Sequence, residues 1–337
     1  MLSACHIITI ISLSALFFIP PQFIQPVPQG PVEEIVQRLR ANPRDQSTIR
    51  EARLKGFEML QGERYEEARG IFLALVESEA ADQPTLYGLA LACFNLKRNA
   101  EALRYAREAV VEAERMKASE AAANALTLVG VVLAVEGDRA GALAAVKQAV
   151  AYAPRNFDAQ LALGRAHYGQ GQIAEAIVAF RAAVELRPQD ARARFFLATS
   201  LERGGGDELA LQAYRELIKV APNAAEGHLG VGVLLAKGAE ESRAEAIGSL
   251  ERAIAIDPDL YEARIVLGRT LIRAGRPAEA VEHLQRATRL APHNPEPFFQ
   301  LAIAYQRLGK KAEANAQYAI VRKINAERRG GNRQEPR

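Results

Sequence analysis

The sequence contains few of the residues and none of the common motifs that carry chemistry. Its 337 residues include no Trp, two Cys, three Met and five His, and it has no GxSxG, HExxH, GxxxxGK[ST] or GxGxxG motif. Cys5 and Cys93 belong to no CxxC motif and to no Cys/His cluster with metal-ligand spacing. We therefore expect no disulfide framework, no metal site, no cofactor and no enzyme activity.

A broad basic surface is also missing. The formal net charge is +3, but the tail from Arg322 onward holds six Lys or Arg and two Glu, which leaves the rest of the chain near −1. A nucleic-acid-binding protein needs a basic face that displaces counterions from phosphates, and usually aromatic platforms for stacking bases. Nucleic acid is therefore not an expected partner.

Charged side chains are absent from residues 1–32, and residues 7–19 form a nearly continuous apolar run. As a helix, residues 2–19 would rise about 27 Å, just under the hydrocarbon thickness of a bilayer. Residues 1–20 therefore predict a signal peptide or signal anchor, although no basic stretch precedes the run and no A-x-A site follows it. Lipidation at Cys5 and a buried helix of the folded domain are the alternatives.

The predicted signal segment indicates where the protein is located, and three further segments can be predicted from the sequence. The protein should be extracytoplasmic, either periplasmic or secreted, or membrane-anchored, with membrane contact only through its N-terminus. Residues 21–31 are rich in Pro and predict a stiff spacer. Residues 32–48 predict a short N-terminal helix with Val32, Ile35, Val36 and Leu39 on one face. At the other end, residues 329–337 predict a basic, disordered tail.

One stretch of the chain recurs. GQIAEAIVAFRAAVELRPQD at residues 171–190 is similar to GRPAEAVEHLQRATRLAPHN at residues 275–294. Aligning the chain on these stretches gives eight units, which start at residues 49, 83, 123, 157, 191, 225, 261 and 295. Most are separated by 34 residues, a period typical of helical-hairpin repeats.

Two columns of small residues fix the register. Position 8 of the units is always Gly or Ala: Gly56, Ala90, Gly130, Gly164, Ala198, Gly232, Gly268 and Ala302. Position 20 is always Ala: Ala68, Ala102, Ala142, Ala176, Ala210, Ala246, Ala280 and Ala314. A larger side chain would push apart two closely crossing helices. Five units have Gly at position 15 and five have Pro at position 32, which predicts a tight turn and a helix stop.

With these columns the sequence resembles the tetratricopeptide repeat (TPR) family, whose pattern is W-x2-L-G-x2-Y…A…F…A…P, over residues 49–328. The resemblance implies an all-α fold, a right-handed α-solenoid of about eight helical hairpins, in a bacterial protein of the cell-envelope type. The Trp position instead holds Ala52, Leu86, Leu126, Gln160, Arg194, His228, Arg264 and Phe298. Six extra residues before residue 123 predict a lengthened helix pair, and two extra residues in the sixth unit predict a longer turn.

The resemblance also implies a ligand-binding groove, lined by positions 2, 5, 9, 12 and 13 of each first helix. The candidate ligand-binding residues in this set are Arg165, Tyr168, Arg192, Phe195, Arg203, Lys237, Arg269, Arg273, Phe299 and Arg307. Position 13 repeats a cation, position 2 repeats Glu226, Glu262 and Glu296, and position 5 forms an apolar strip (Leu161, Phe195, Leu229, Ile265 and Phe299). The first three units give a more apolar lining, formed by Arg53, Phe57, Leu60, Tyr87, Leu91, Phe94, Thr127 and Val131.

Two interpretations of the charge columns stay open. The cations could steer the acidic groups of a bound protein or peptide, or the charges could only complement the helix dipoles, as they do in any helix. The Lys-x3-Asn pattern of chaperone-binding TPR proteins is not matched. His167 and Cys93 fall at core positions and are expected to be structural.

The predicted function is that of a non-catalytic protein–protein interaction scaffold that binds a protein or peptide in the groove, within a cell-envelope assembly. The alternative is an accessory module that positions an enzyme, such as a transferase or a component of a secretion machine.

Overall fold

A computed structural model describes residues 30–331 of the chain, and this range contains helices and no strand. The chain divides into two compact units, of which the first ends at Ala81 and the second begins at Asp82. The first unit contains α1 (Pro31–Ala41), α2 (Gln46–Gln61) and α3 (Tyr65–Glu77). The second contains α4 (Gln83–Asn95), α5 (Asn99–Arg115), α6 (Ser119–Val135), α7 (Arg139–Tyr152), α8 (Phe157–Gly169), α9 (Ile173–Leu186), α10 (Ala191–Arg203), α11 (Asp207–Val220), α12 (Ala225–Lys237), α13 (Arg243–Ile256), α14 (Tyr261–Arg273), α15 (Pro277–Leu290), α16 (Pro295–Arg307) and α17 (Lys311–Gly331).

The predicted all-α architecture is confirmed. In the second unit consecutive helices pair into hairpins, from α4 with α5 to α16 with α17. Each first helix also contacts the first helix of the next hairpin, from α4 through α16. A hairpin therefore buries its apolar face against its neighbours, which is the arrangement of an α-solenoid.

The two columns of small residues lie where helices cross closely. A Cβ atom added at Gly164 would lie 2.5 Å from the ring of Phe180, and one at Gly268 would lie 2.6 Å from the side chain of Leu284. The alanines at position 20 are all buried: Ala68, Ala102, Ala142, Ala176, Ala210, Ala246, Ala280 and Ala314. The close helix crossings that the sequence predicted at positions 8 and 20 are therefore present in the structure.

The turns inside the hairpins use the left-handed backbone region. All five glycines at position 15 have φ between +74° and +88°: Gly137, Gly171, Gly205, Gly275 and Gly309. Glu63 and Lys97 adopt the same region in the first two hairpins, with φ of 58° and 62°. A non-glycine residue pays an energetic cost of about 1–2 kcal/mol there. In the sixth hairpin a 3-10 turn, Glu240–Ser242, lengthens the connection instead.

In units four to seven, polar side chains occupy the corner at which the family pattern has Trp. Each of these four position-4 side chains contacts the carbonyl oxygen of the proline six residues before it: Gln160 with Pro154 at 2.8 Å, Arg194 with Pro188 at 2.7 Å, His228 with Pro222 at 3.0 Å, and Arg264 with Pro258 at 2.8 Å. Each contact satisfies a backbone acceptor that follows the end of a second helix. Hydrogen bonding therefore replaces indole packing at the corner of these four units, whereas the other four have an apolar residue there.

The helix ends differ from the sequence-based boundaries in two places. The predicted helix 32–48 is divided, because α1 ends at Ala41 and α2 begins at Gln46. The predicted disordered tail is wrong for residues 329–331, which belong to α17. The helix continues there because no Pro occurs before Pro336 and because Lys323 and Glu327 form an i,i+4 ion pair at 4.0 Å.

The predicted signal segment, residues 1–20, and most of the predicted spacer lie outside the described residues. Only the end of the spacer is described, where Pro31 is the first residue of α1. Between residues 30 and 331, no helix is both long and apolar enough to cross a bilayer.

Candidate functional site

The residues predicted to bind a ligand lie on consecutive first helices of the second unit. They are distributed over α8 (Arg165 and Tyr168), α10 (Arg192, Phe195 and Arg203), α12 (Lys237), α14 (Arg269 and Arg273) and α16 (Phe299 and Arg307). Because each of these helices contacts the next, the predicted residues belong to one continuous row of helices. We call this the first-helix row.

An apolar pocket of about 240 Å³ lies between α6, α7 and α8. Arg165 is the only charged residue in its wall, and the other lining residues are Gly130, Val131, Ala134, Val135, Ala142, Val146, Ala162 and Ala166. The pocket exists because most of these side chains are short. Val131 and Arg165 were predicted to face the groove, so the pocket lies at the predicted surface.

Arg165 in the pocket wall and Arg203 on α10 both lie over aromatic rings. The guanidinium carbon of Arg165 is 5.7 Å from the ring centroid of Phe196, and that of Arg203 is 5.0 Å from the ring centroid of Tyr168. Phe196 is itself stacked on Phe180 at 5.4 Å, which holds its ring in place. Within residues 30–331 neither arginine forms an ion pair. A guanidinium that meets a ring through its face keeps the N–H donors on its edge available.

Lys237 has a different environment. Its Nζ atom is 3.4 Å from Oε1 of Glu202, on the preceding first helix. The other carboxylate oxygen of Glu202 accepts a hydrogen bond of 2.9 Å from the hydroxyl of the buried Tyr214. Burial, together with the negative charge of Glu202, raises the pKa of Tyr214 well above its ordinary value of 10.0. The phenol therefore stays protonated and holds Glu202 in place as the partner of Lys237.

The remaining predicted cations fall into two groups. Arg273 donates a hydrogen bond of 3.3 Å to the carbonyl oxygen of Ala236 in the last turn of α12, and Arg192 pairs with Asp190 at 3.1 Å. Arg269 is half-buried and Arg307 is exposed. Neither of these two forms an ion pair in the part of the chain that the structure describes.

Three position-13 cations thus contact the position-12 residue of the preceding hairpin. The partners are the ring of Tyr168, the carboxylate of Glu202 and the backbone carbonyl of Ala236. The residue at position 12 therefore determines whether the next cation is neutralised. The third contact is of the helix-end kind that the dipole interpretation expects.

The residues of the predicted apolar strip at position 5 differ in their exposure. Leu161 and Ile265 are only 7% and 4% exposed, because they pack into the core clusters between neighbouring hairpins. Phe195 is half-buried, and its ring centroid is 5.7 Å from that of Phe196. Phe299 is 44% exposed and contacts Tyr318 at 6.0 Å.

His167 and Cys93 are buried, as expected for structural residues. Nδ1 of His167 lies 2.6 Å from the side-chain oxygen of Gln172. The sulfur of Cys93 lies 3.9 Å from a carboxylate oxygen of Glu101. Across residues 30–331 no group of three or more His, Cys, Asp or Glu side chains could hold a metal ion.

The first unit contains a second, charged pocket of about 310 Å³ between α1 and α2. Its wall includes the ion pair of Arg38 with Glu51 and the exposed side chain of Leu54. Phe57, which was predicted to line the groove, packs its ring against Phe72 with centroids 5.2 Å apart.

Sequence reasoning missed three parts of the site: the α6–α8 pocket, Phe196 and Tyr214. Phe196 stands next to Phe195 in the sequence, so the double Phe was a visible signal. Tyr214 lies beneath Gly230, where an added Cβ would be 2.5 Å from the ring. Its contact with Glu202 joins two helices of one hairpin, and no single-helix pattern shows such a contact.

Comparison with family profiles agrees with the fold of repeated helical hairpins. Profiles of the family described as "Tetratricopeptide repeat" match residues 59–119, 130–191, 161–225 and 197–259. A second profile with the same description matches residues 239–296 and 271–329. Together the matches cover residues 59–119 and 130–329, which is more than half of the chain.

Several solved structures are similar to parts of the chain. The structure titled "Crystal structure of MamA protein" is 22% identical, with a TM-score of 0.46, and the match covers 50% of this chain and 92% of that one. The structure of YrrB, titled a TPR protein with an unusual peptide-binding site, is 20% identical, with a TM-score of 0.48 and coverages of 56% and 95%. MamA from Desulfovibrio magneticus RS-1 is 18% identical, with a TM-score of 0.47 and coverages of 51% and 96%. No curated protein sequence matches the chain significantly.

Proposed function

The chain belongs to the tetratricopeptide-repeat family, and on that premise we propose that it is a non-catalytic scaffold that binds an acidic protein or peptide along its first-helix row. Proteins of this architecture offer an extended surface built from repeated helices, and such surfaces bind other proteins. The proposal adds the chemistry of the partner and the place where it binds.

The observation that carries the proposal is a set of cations without carboxylate partners. Arg165, Arg203, Arg269 and Arg307 all lie on the first-helix row, and among the described residues none of them forms an ion pair. The exposed glutamates of position 2 lie toward the opposite end of each helix, about 16 Å along the axis from position 13 (Arg203 and Arg307) and about 10 Å from position 9 (Arg165 and Arg269). A bound chain that crosses the cation end would therefore be selected for negative charge.

The location of this scaffold is part of the proposal. The uncharged residues 1–32 support export or anchoring at a membrane, which would place the second unit on the extracytoplasmic side, in a cell-envelope assembly. An accessory module that positions an enzyme would bind its partner in the same way. The identity of the captured protein therefore distinguishes the two roles.

The binding proposal is tested by cross-linking the full-length chain in native membranes, identifying the captured protein, and titrating it at two salt concentrations. The double variant Arg165→Glu, Arg203→Glu should bind the partner much more weakly and with a smaller salt dependence. The matched control is Arg155→Glu, Arg289→Glu, which reverses two exposed arginines outside the first-helix row. Equal affinity of both double variants and the wild type at low salt would contradict the proposal.

The proposed location is tested by deleting residues 1–20. The shortened chain should be recovered in the soluble cytoplasmic fraction, because the deletion removes the longest apolar run of the sequence. If the shortened chain were still integral to the membrane, the N-terminal segment would not be the anchor.

A further inference from the structure

We infer that the first-helix row recognises a linear acidic segment with one bulky apolar residue, an inference that rests on the scaffold function proposed above. The apolar residue fills the α6–α8 pocket. A carboxylate next to it pairs with Arg165, and a second carboxylate, about three residues further along, pairs with Arg203.

The pocket has the size and lining for a single large apolar side chain. Its volume of about 240 Å³ exceeds the roughly 150 Å³ that suffices to hold benzene in an engineered protein cavity. Its wall is aliphatic apart from Arg165. Ala134 and Val135 at its edge are exposed, and Val135 is 61% exposed, so the pocket can be entered from solvent.

The two arginines present free donors, Arg165 in the wall of this pocket and Arg203 on the next first helix, α10. Arg165 lies over the ring of Phe196 and Arg203 over the ring of Tyr168. Aromatic contact restricts each guanidinium through its face, whereas a carboxylate binds along the edge through two parallel N–H donors. The rings therefore orient both arginines before a ligand arrives, which lowers the entropy cost of binding.

The charge of the surroundings favours an acidic ligand. The acidic side chains nearby are already paired: Asp158 with Arg187 at 3.7 Å, Asp190 with Arg192 at 3.1 Å, and Glu202 with Lys237 at 3.4 Å. Among the described residues of α8 and α10, Arg165 and Arg203 are left without a carboxylate, and Arg194, which also lacks one there, donates to the carbonyl oxygen of Pro188. A basic segment would find the carboxylates of α8 and α10, Asp158 and Glu202, already paired.

The positions of the two rings set the spacing of the recognised residues. Both guanidinium groups lie at the seam between α8 and α10, because Arg165 of α8 reaches Phe196 of α10 and Arg203 of α10 reaches Tyr168 of α8. The two rings are at positions 6 and 12 of their units, which corresponds to a rise of about 9 Å along the helices, and an extended chain advances about 3.3 Å per residue. A segment that follows this seam therefore spans about three residues between its two carboxylates. An order such as Phe-Asp-Ser-Gly-Glu meets these conditions.

The test is a selection from a random-peptide display library on the purified full-length chain, followed by titration of a labelled peptide that the selection enriches. Enriched peptides should carry a bulky apolar residue followed by two acidic residues with this spacing. Arg165→Gln and Arg203→Gln should each weaken binding by about tenfold or more. Ala134→Leu, which narrows the pocket from its exposed edge, should weaken it about tenfold.

Matched controls keep the result specific. Arg289→Gln removes an exposed arginine from the second helix α15, and Ala316→Leu enlarges an exposed alanine of α17. Both should leave affinity within about twofold of the wild type, and circular dichroism should show that all five variants are folded.

The outcomes separate the inference from the function on which it rests. Enriched peptides without acidic residues, or peptides whose binding survives both arginine substitutions, would overturn the inference and leave the scaffold function intact. If no peptide were enriched above the starting library, both the inference and the proposed scaffold function would be contradicted.

Discussion

The α6–α10 region and the α12–α16 region of the second unit share one repeat pattern but differ in what their cations contact. In the first region Arg165 and Arg203 lie over aromatic rings, and Arg165 also lines an apolar pocket. In the second, Lys237 is paired with Glu202, and Arg273 donates to the carbonyl of Ala236. Position 13 of the repeat, which holds Arg203, Lys237 and Arg273, therefore has two roles, which depend on the residue at position 12 of the preceding hairpin.

The largest expected effect tests whether the two regions share the same helix spacing. Ala176 and Ala280 occupy position 20 in the two regions, and both are completely buried. Ala176→Leu and Ala280→Leu should each overpack a close crossing and lower the free energy of unfolding by roughly 1–3 kcal/mol. Urea denaturation followed by circular dichroism measures both losses.

Ala316→Leu, on the exposed face of α17, is the control for the larger side chain and should change stability little. If Ala176→Leu or Ala280→Leu melted like the wild type, the register of that region would be wrong and the comparison between regions would lose its basis.

A smaller effect on stability is expected when the Tyr214 hydroxyl, which donates a hydrogen bond to Glu202, is removed. Tyr214→Phe removes a buried hydrogen bond to this carboxylate and should lower the free energy of unfolding by about 0.5–1.5 kcal/mol. This loss of unfolding free energy should be larger near neutral pH than at alkaline pH. Denaturation of the wild type and of Tyr214→Phe at several pH values measures it.

The pH dependence follows from the raised pKa of Tyr214. In the unfolded chain this phenol ionises near its ordinary value of 10.0, while in the native state it keeps its proton to higher pH. Its contribution to stability is therefore complete below about pH 10 and is lost as the pH rises further. Parallel stability curves for the wild type and Tyr214→Phe would contradict this role, because the other tyrosines are common to both proteins.

The smallest effect sharpens the comparison by making the second region resemble the first. Glu202→Gln keeps an acceptor for the Tyr214 hydroxyl but removes the charge that neutralises Lys237. Affinity for an acidic peptide should rise by about two- to fivefold at low salt, and the gain should fade at high salt. Fluorescence anisotropy measures the change.

Glu262→Gln is the matched control for this charge change, because it removes an exposed carboxylate at the opposite end of a first helix. Equal gains from both substitutions would show a general charge effect and not the release of Lys237.

The repeated fold could be predicted from sequence because its requirements act at fixed positions. Close crossings demand Gly or Ala at positions 8 and 20, and the hairpin turns favour a residue that tolerates positive φ. Gly164 beneath Phe180 and Gly171 in its turn show both requirements. The end of α17 was less predictable, because Gly330 and Gly331 weaken a helix without forbidding it, and the helix runs through both.

The site could be predicted only in part. The repeat pattern placed Arg165, Arg203 and Lys237 on one row of helices, but it did not show what each side chain contacts. Those contacts depend on side chains of neighbouring hairpins, such as Phe196 and Glu202, which no single repeat reveals. The α6–α8 pocket arises from short side chains on three helices, and the burial of Leu161 depends on packing between hairpins.

The central claim is that the α6–α10 region, and not the whole column of cations, binds the acidic partner. Its most direct test is the titration of one acidic peptide enriched by selection against two matched double variants, Arg165→Gln, Arg203→Gln and Lys237→Gln, Arg273→Gln. The account predicts a loss of about a hundredfold or more for the first double variant and a change within about twofold for the second. Equal losses, or a larger loss for the second, would contradict it.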